Sequence, residues 1–191
     1  MQYILIIIAA VFVNNIVLTQ FLGICPFLGV SNKIKTSIGM GAAVIFVMVL
    51  STTITWLVYN YILMQFNVEF LQTITYILII AALVQVVEII LKKISPSLYQ
   101  ALGVYLPLIT TNCTVLGVAI LVIQKNFDLL TSIIFAIGMS VGFAVALVIF
   151  AGIREHIDRF SIPKALQGIP IALITTGILA LAFMGFSGLI K

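Results

Sequence analysis

Long apolar runs separated by short polar punctuation make up nearly the whole chain. Six can be drawn, at about residues 3–30, 38–64, 70–91, 98–123, 129–153 and 165–190. Each reaches or exceeds the roughly 20 residues a membrane-spanning helix needs, and none shows the short alternation of a barrel strand. The pattern predicts an all-α integral membrane protein with six transmembrane helices. No polar region is left over for a soluble domain, so residues 1–191 are expected to form a single transmembrane domain. Met1-Gln2-Tyr3 carries no Lys or Arg ahead of the first run and no clear small-residue cleavage site follows, so the run reads as a retained span.

Composition agrees with this class. Hydrophobic residues are 63% and charged residues 7% of the chain, and the mean hydropathy of +1.35 belongs to no soluble class. The net charge of +4 has to be read loop by loop, because membrane proteins place Lys and Arg for topology. It does not indicate nucleic-acid binding. The first, third and fifth loops hold Lys33, Lys35, Lys92, Lys93, Arg154, Arg159 and Lys164, against Lys125 and Lys191 on the other face. This bias puts the odd-numbered loops in the cytoplasm and both termini outside. Trp56, Tyr59 and Tyr61 near the outer end of span 2 suit an interfacial aromatic belt, or helix packing.

The chain also repeats itself. Cys25-Pro26-Phe27-Leu28-Gly29-Val30 returns as Cys113-Thr114-Val115-Leu116-Gly117-Val118, and these are the only two cysteines. Ile38-Gly39-Met40 returns as Ile137-Gly138-Met139. The echoes predict two related halves, about 1–94 and 95–191, each with three spans. An odd number of crossings turns the second half over, giving a 3+3 inverted repeat. Spans 3 and 6 share no comparable residues.

Polar and helix-breaking residues cluster around both cysteines: Asn14, Asn15, Thr19, Gly23, Pro26 and Gly29 in span 1, and Pro107, Thr110, Thr111, Asn112 and Gly117 in span 4. Helices 1 and 4 are therefore expected to break near the bilayer midplane. Cys25 precedes the cytoplasmic Lys33 by eight residues, roughly 12 Å of helical rise, and Cys113 precedes the external Lys125 by twelve, roughly 18 Å. Half the hydrocarbon core is about 15 Å. Non-helical backbone at that depth needs protein or a cavity around it, so spans 1 and 4 are expected at the centre with the other four as a shield.

Two midplane thiols allow several chemistries. Free cysteine is often a small buried hydrophobe. A disulfide is possible if the halves meet, although a pair in lipid has no obvious oxidant. A [2Fe-2S] cluster takes four thiolates, so this chain would supply two and a second subunit or copy the others. Structural zinc also takes four thiolates, but a midplane zinc would have no redox purpose.

Asn14-Asn15-x3-Thr19-x-Phe21-Leu22-Gly23-x-Cys25-Pro26-Phe27-x-Gly29-Val30, together with Leu106-Pro107-Leu108-Ile109-Thr110-Thr111-Asn112-Cys113-x-Val115-Leu116-Gly117-Val118, resembles the membrane subunit family shared by Rnf complexes and Na⁺-translocating NADH:quinone reductases. The likeness runs over essentially the whole chain, including Ala182-Phe183-Met184-Gly185-Phe186-Ser187-Gly188. It is strongest to A-type subunits of Rnf complexes, with the E-type subunit of the quinone reductase next. The resemblance implies a location in the bacterial or archaeal cytoplasmic (inner) membrane and a homologous partner of opposite topology, of the RnfE type. It implies that Cys25 and Cys113 are cluster positions, completed by two partner cysteines into an intramembrane [2Fe-2S] centre. It further implies electron transfer between ferredoxin and NAD⁺ coupled to Na⁺ or H⁺ transport, with flavins and NAD in other subunits, of B, C, D and G types. No Gly-rich phosphate fingerprint occurs here.

Other residues have two readings each. Glu88 is the one acid clearly inside a predicted span, which makes it a candidate for the ion path, yet it stands four residues before Lys92 in the order that favours an interfacial ion pair. Asn14, Asn15, Thr19 and Asn112 could line a path, sit around the cluster, or act as polar glue between helices. In Arg154-Glu155-His156-Ile157-Asp158-Arg159 the spacing predicts surface pairs Arg154/Asp158 and Glu155/Arg159 on a solvated helix extension rather than a metal site at His156. An inverted repeat with broken helices also describes secondary transporters, which is the alternative to a redox subunit.

Overall fold

A computed structural model describes residues 6–66, 69–94, 106–160, 163 and 166–185. The beginnings of the expected first and fourth spans and the end of the sixth lie outside these residues. Every regular element among the described residues is helical. In chain order they are α1 (Ala9–Val13, a π-helical stretch continuing residues 6–8), α2 (Ile24–Val30), α3 (Ile34–Val58, prolonged by Tyr59–Leu63 and Met64–Phe66), α4 (Gln72–Ile94), α5 (Leu106–Thr110), α6 (Cys113–Gln124), α7 (Leu129–Ile157) and α8 (Ile169–Met184).

Ile34–Phe66, Gln72–Ile90, Pro107–Gln124 and Leu129–Ile157 are long and apolar enough to cross a membrane, and Ile169–Met184 is a shorter apolar helix. Their outward faces carry exposed Phe46, Ile74, Leu78, Ile178 and Leu181. A soluble protein would bury such side chains, whereas lipid accepts them.

The centre of the molecule holds more than the two spans expected there: Ile16, Val17, Leu18, Val115 and Val118 are at most 1% exposed, and α3 and α7 join them. The most extensive contact joins α3 to α7 rather than span 1 to span 4. Of the spanning windows, that of α7 is 56% buried and that of α4 only 17%. Small residues explain the choice. A Cβ on Gly41 of α3 would stand 3.0 Å from the Ala144 Cβ of α7, and one on Gly138 of α7 would stand 3.1 Å from the Ala10 Cβ of α1, so small residues bring both α3 and span 1 close to α7. Close backbone approach of this kind drives helix association where lipid offers no hydrophobic contrast. Met40, Val44, Met48, Met139, Phe143, Leu147 and Phe150 fill the resulting core, all at most 2% exposed.

Of the segments of span 1, α1 leans on α7 and α2 on α3 and α5, while α6 packs chiefly on α3 and, with α5, on α4. The interrupted spans thus pack against α3 and α7 and also meet each other, α2 against α5.

Candidate functional site

The first interruption is built by one side chain. Asn15 is fully buried. Its Nδ2 donates to the Val11 carbonyl at 3.2 Å and to the Gly142 carbonyl of α7 at 2.8 Å. Its Oδ1 accepts from the Val17 and Leu18 N–H groups at 3.1 and 3.4 Å. Thr19 donates through both its backbone N–H and its Oγ1 to the Asn15 carbonyl. Asn15 thereby replaces the helical partners that a run of this polarity would otherwise leave unmade. The chain restarts as α2 after Gly23, whose φ of 78° favours glycine. Pro26 falls in the first turn of α2, where its missing N–H costs nothing.

The second interruption is shorter. Asn112 caps α6, its Oδ1 accepting from the Thr114 N–H at 3.0 Å. Cys113 is the first residue of α6 and Cys25 the second of α2. Each thiol therefore sits in the opening turn of a helix, where unpaired backbone N–H groups and the positive end of the peptide dipoles favour an anion.

The two interruptions touch. The Gly23 N–H donates to the Cys113 Sγ at 2.9 Å, across 90 residues of sequence. A Cβ on Gly23 would collide with the Thr114 hydroxyl and stand 3.2 Å from the Asn112 Oδ1. Leu22 occupies the space beside Gly117, whose Cβ would meet the Leu22 Cδ1 at 2.7 Å. Gly29, one turn beyond Cys25, faces open space. Both thiols are free and exposed, so no disulfide joins them. The Asn112 Nδ2 and Thr114 Oγ1 beside Cys113 are buried without hydrogen-bond partners, which leaves donors unspent next to the sulfur.

Burial follows the sequence echo. Cys25 and Cys113 are exposed, Phe27 and Val115 buried, Leu28 and Leu116 half-buried, Val30 and Val118 buried. Met40 and Met139 are buried in the second echo.

Two cavities flank the crossing. One of about 380 Å³ lies between α4 and the second interruption and is lined by Ile77, Ile80, Thr111, Asn112, Cys113 and Leu116. Another of about 210 Å³ reaches Asn14, Gln20 and Lys125. Asn14 is thus exposed on a cavity while Asn15 is locked in the backbone. Glu88 is half-buried on α4. It lies seven residues past Ala81, roughly 10 Å along the helix from the larger cavity's lining, and does not join the thiols.

The charged extension of α7 is corrected in one respect. Arg159 and Glu155 form the expected pair, at 3.8 Å, and His156 is exposed with its ring 5.3 Å from that of Phe160. Arg154 does not pair with Asp158. Its Nη1 donates to the Leu28 carbonyl at 2.8 Å and to the Ser31 Oγ at 3.2 Å, because the last carbonyls of α2 have no helical donors of their own. At the opposite end, the Trp56 Nε1 donates to the Phe127 carbonyl at 2.9 Å, just past α6, so this indole packs against the protein. Sequence reasoning missed both links. The one available signal was their near-equivalence under the second echo, where Arg154 corresponds to Thr55, next to Trp56.

These features define a helical membrane protein of several spans with paired thiols at two touching interruptions. The Rnf-Nqr subunit, membrane protein family matches residues 3–190, and the chain belongs to that family. It is 59% identical to the A-type subunit of the Na⁺-translocating ferredoxin:NAD⁺ oxidoreductase complex of Acetobacterium woodii, over 99% of this chain and 98% of that protein. It is 56% identical to the A-type subunit of the ion-translocating oxidoreductase complex of Syntrophotalea carbinolica, over 97% and 96%. The protein of the same description from Alcanivorax borkumensis is 52% identical, over 100% and 98%.

Proposed function

We propose that the chain is the A-type membrane subunit of an ion-translocating ferredoxin:NAD⁺ oxidoreductase complex, in which Cys25 and Cys113 hold half of an intramembrane [2Fe-2S] cluster. The other two thiolates come from a homologous membrane subunit of opposite topology, and the flavin and NAD sites lie in further subunits. The chain is a six-span, 3+3 inverted repeat in the cytoplasmic membrane, with its thiols near the midplane and its termini outside. The observation that carries this reading is the Gly23 N–H bond to the Cys113 sulfur, which brings the two thiol-bearing turns together on an exposed surface.

Several features support the residues as a fit to that group. Two thiolates are half of what a [2Fe-2S] cluster takes, and among the described residues no group of three or more His, Cys, Asp or Glu could hold a metal unaided. The opening turns of α2 and α6, the Gly23 N–H and the unspent Asn112 amide all suit anionic sulfur. The open space at Gly29 admits another surface close to Cys25. When bound, the cluster supplies one-electron transfer between carriers on the two membrane faces. This chain's residues would hold the thiols at the starts of α2 and α6, seat those helices on the core through Phe27, Val30, Val115 and Val118, and direct backbone dipoles at the sulfurs.

Contacts between elements support the inverted repeat. Exchanging spans 1 and 4, 2 and 5, and 3 and 6 leaves the set of neighbouring pairs unchanged. Arg154 meets the first loop, and Trp56 the connection after α6, as the proposed crossing pattern requires. Coupling to ion transport follows the relatives' descriptions, one of which names Na⁺.

The test is low-temperature EPR of the reduced complex with iron and sulfide analysis, comparing wild type with Cys25→Ser and Cys113→Ser at unchanged subunit composition. A [2Fe-2S] signal lost in both variants is expected. Survival of iron and signal in both would refute the assignment and bring forward a secondary transporter, which would move solute without its partner.

A further inference from the structure

Arg154 lies outside the thiol site, yet it reaches the element that carries Cys25. α2 has only seven residues, too few to be stable as an isolated helix. Its position must come from what it packs against. α7 meets it through two residues one turn apart. Phe150 stacks on Phe27 with ring centroids 4.5 Å apart and planes 18° from parallel, both rings fully buried. Arg154 then closes the far end, its guanidinium bonded to the Leu28 carbonyl and to the buried Ser31 hydroxyl. Leu28 is three residues from Cys25, so the clamped carbonyl lies within one turn of the thiol.

We infer that Arg154 is a positioning residue for Cys25: with Phe150 it clamps α2 to α7 and so sets where this thiol stands relative to Cys113. The inference rests on the cluster reading for its purpose, though the clamp itself does not need a cluster. Cys113 starts α6 under the Asn112 cap and meets the clamped element through the Gly23 N–H, at the end of α2 opposite Arg154. Loss of the clamp therefore has an asymmetric signature. A charge-assisted bond to a buried acceptor is worth enough to change a local opening equilibrium about tenfold or more.

The experiment uses the purified complex with Arg154→Gln, Arg154→Lys and Ser31→Ala, and Arg159→Gln as the surface control. One arm records the EPR spectrum. The other measures iodoacetamide labelling of Cys25 and Cys113 by peptide mass spectrometry after iron removal with a chelator. Arg154→Gln should raise the Cys25-to-Cys113 labelling ratio about tenfold and broaden or shift the cluster signal, with Arg154→Lys recovering much of both. Ser31→Ala should move the ratio in the same direction by less, and it carries the test with Arg154→Lys if the Gln variant does not assemble. Arg159→Gln should change neither readout. A ratio left unchanged by every Arg154 and Ser31 variant overturns the inference, as does an equal rise at both thiols, which would mean general loosening. Absence of any cluster signal in wild type would defeat the cluster reading alone, since the labelling ratio would still report on the clamp.

Discussion

Replacing Asn15 by alanine separates two adjacent asparagines that look equivalent in sequence. Asn15 makes four side-chain hydrogen bonds, and alanine makes none. The Gly142 carbonyl lies inside α7 and keeps its place in the helical ladder, so its loss is modest. The Val17 and Leu18 N–H groups have no backbone acceptor in this non-helical stretch, and both residues are at most 1% exposed. Two orphaned buried donors cost about 1–3 kcal/mol each. Side-chain bonds between membrane helices average nearer 0.6 kcal/mol, because the unfolded chain in lipid also finds partners. Combining these, Asn15→Ala should destabilise the chain by about 2–4 kcal/mol. Asn14 is exposed on a cavity, and Asn14→Ala should cost under about 0.5 kcal/mol. SDS titration in mixed micelles can follow this through Trp56, the only tryptophan, whose indole is anchored to the Phe127 carbonyl. A loss below about 0.5 kcal/mol for Asn15→Ala, or equal losses for both variants, would refute the assignment of the break to Asn15.

Two further substitutions probe the crossing of the interruptions. Gly23→Ala adds left-handed strain of about 1–2 kcal/mol and a collision with the Thr114 hydroxyl worth about 1–3 kcal/mol, and the same titration should register both. Gly29→Ala, facing open space, should leave the chain's own stability within about 0.5 kcal/mol while weakening assembly with the partner, measured as subunit recovery on affinity purification. Trp56→Phe keeps the apolar bulk and removes the donor to Phe127. A thermal-shift measurement should find a loss of about 0.5–1.5 kcal/mol, and no loss would mean the indole bond is dispensable.

Neighbouring residues of one chemical type turned out to have different roles. Cys25 and Cys113 were legible as a pair because the surrounding hexapeptide recurs, and the structure places them in matching opening turns with matching burial. Asn14 and Asn15 were indistinguishable in sequence, since only rotation about the helix axis decides which side chain meets the Gly142 carbonyl. Arg154 read as a surface residue because i,i+4 spacing is local information. Its true partners are 126 and 123 residues away. The central place given to spans 1 and 4 was incomplete for a related reason, since α3 and α7 share it. Polar breaks reveal where backbone needs shelter, but the small residues that let α3 and α7 approach, Gly41 and Ala144, carry no such mark.

The sequence by itself determined the membrane class, the helical character of the spans, the charge bias of the loops and the doubled thiol motif. Each of these depends on composition or on periodicity within one span, which the chain states locally. Tertiary structure alone decided that α3 and α7 join the core, that Asn15 rather than Asn14 builds the first break, that Gly23 meets Cys113, and that Arg154 clamps α2. These outcomes rest on contacts across 90 to 127 residues. Their energies depend on close approach and on which buried donors find acceptors, quantities that exist only once the helices have packed.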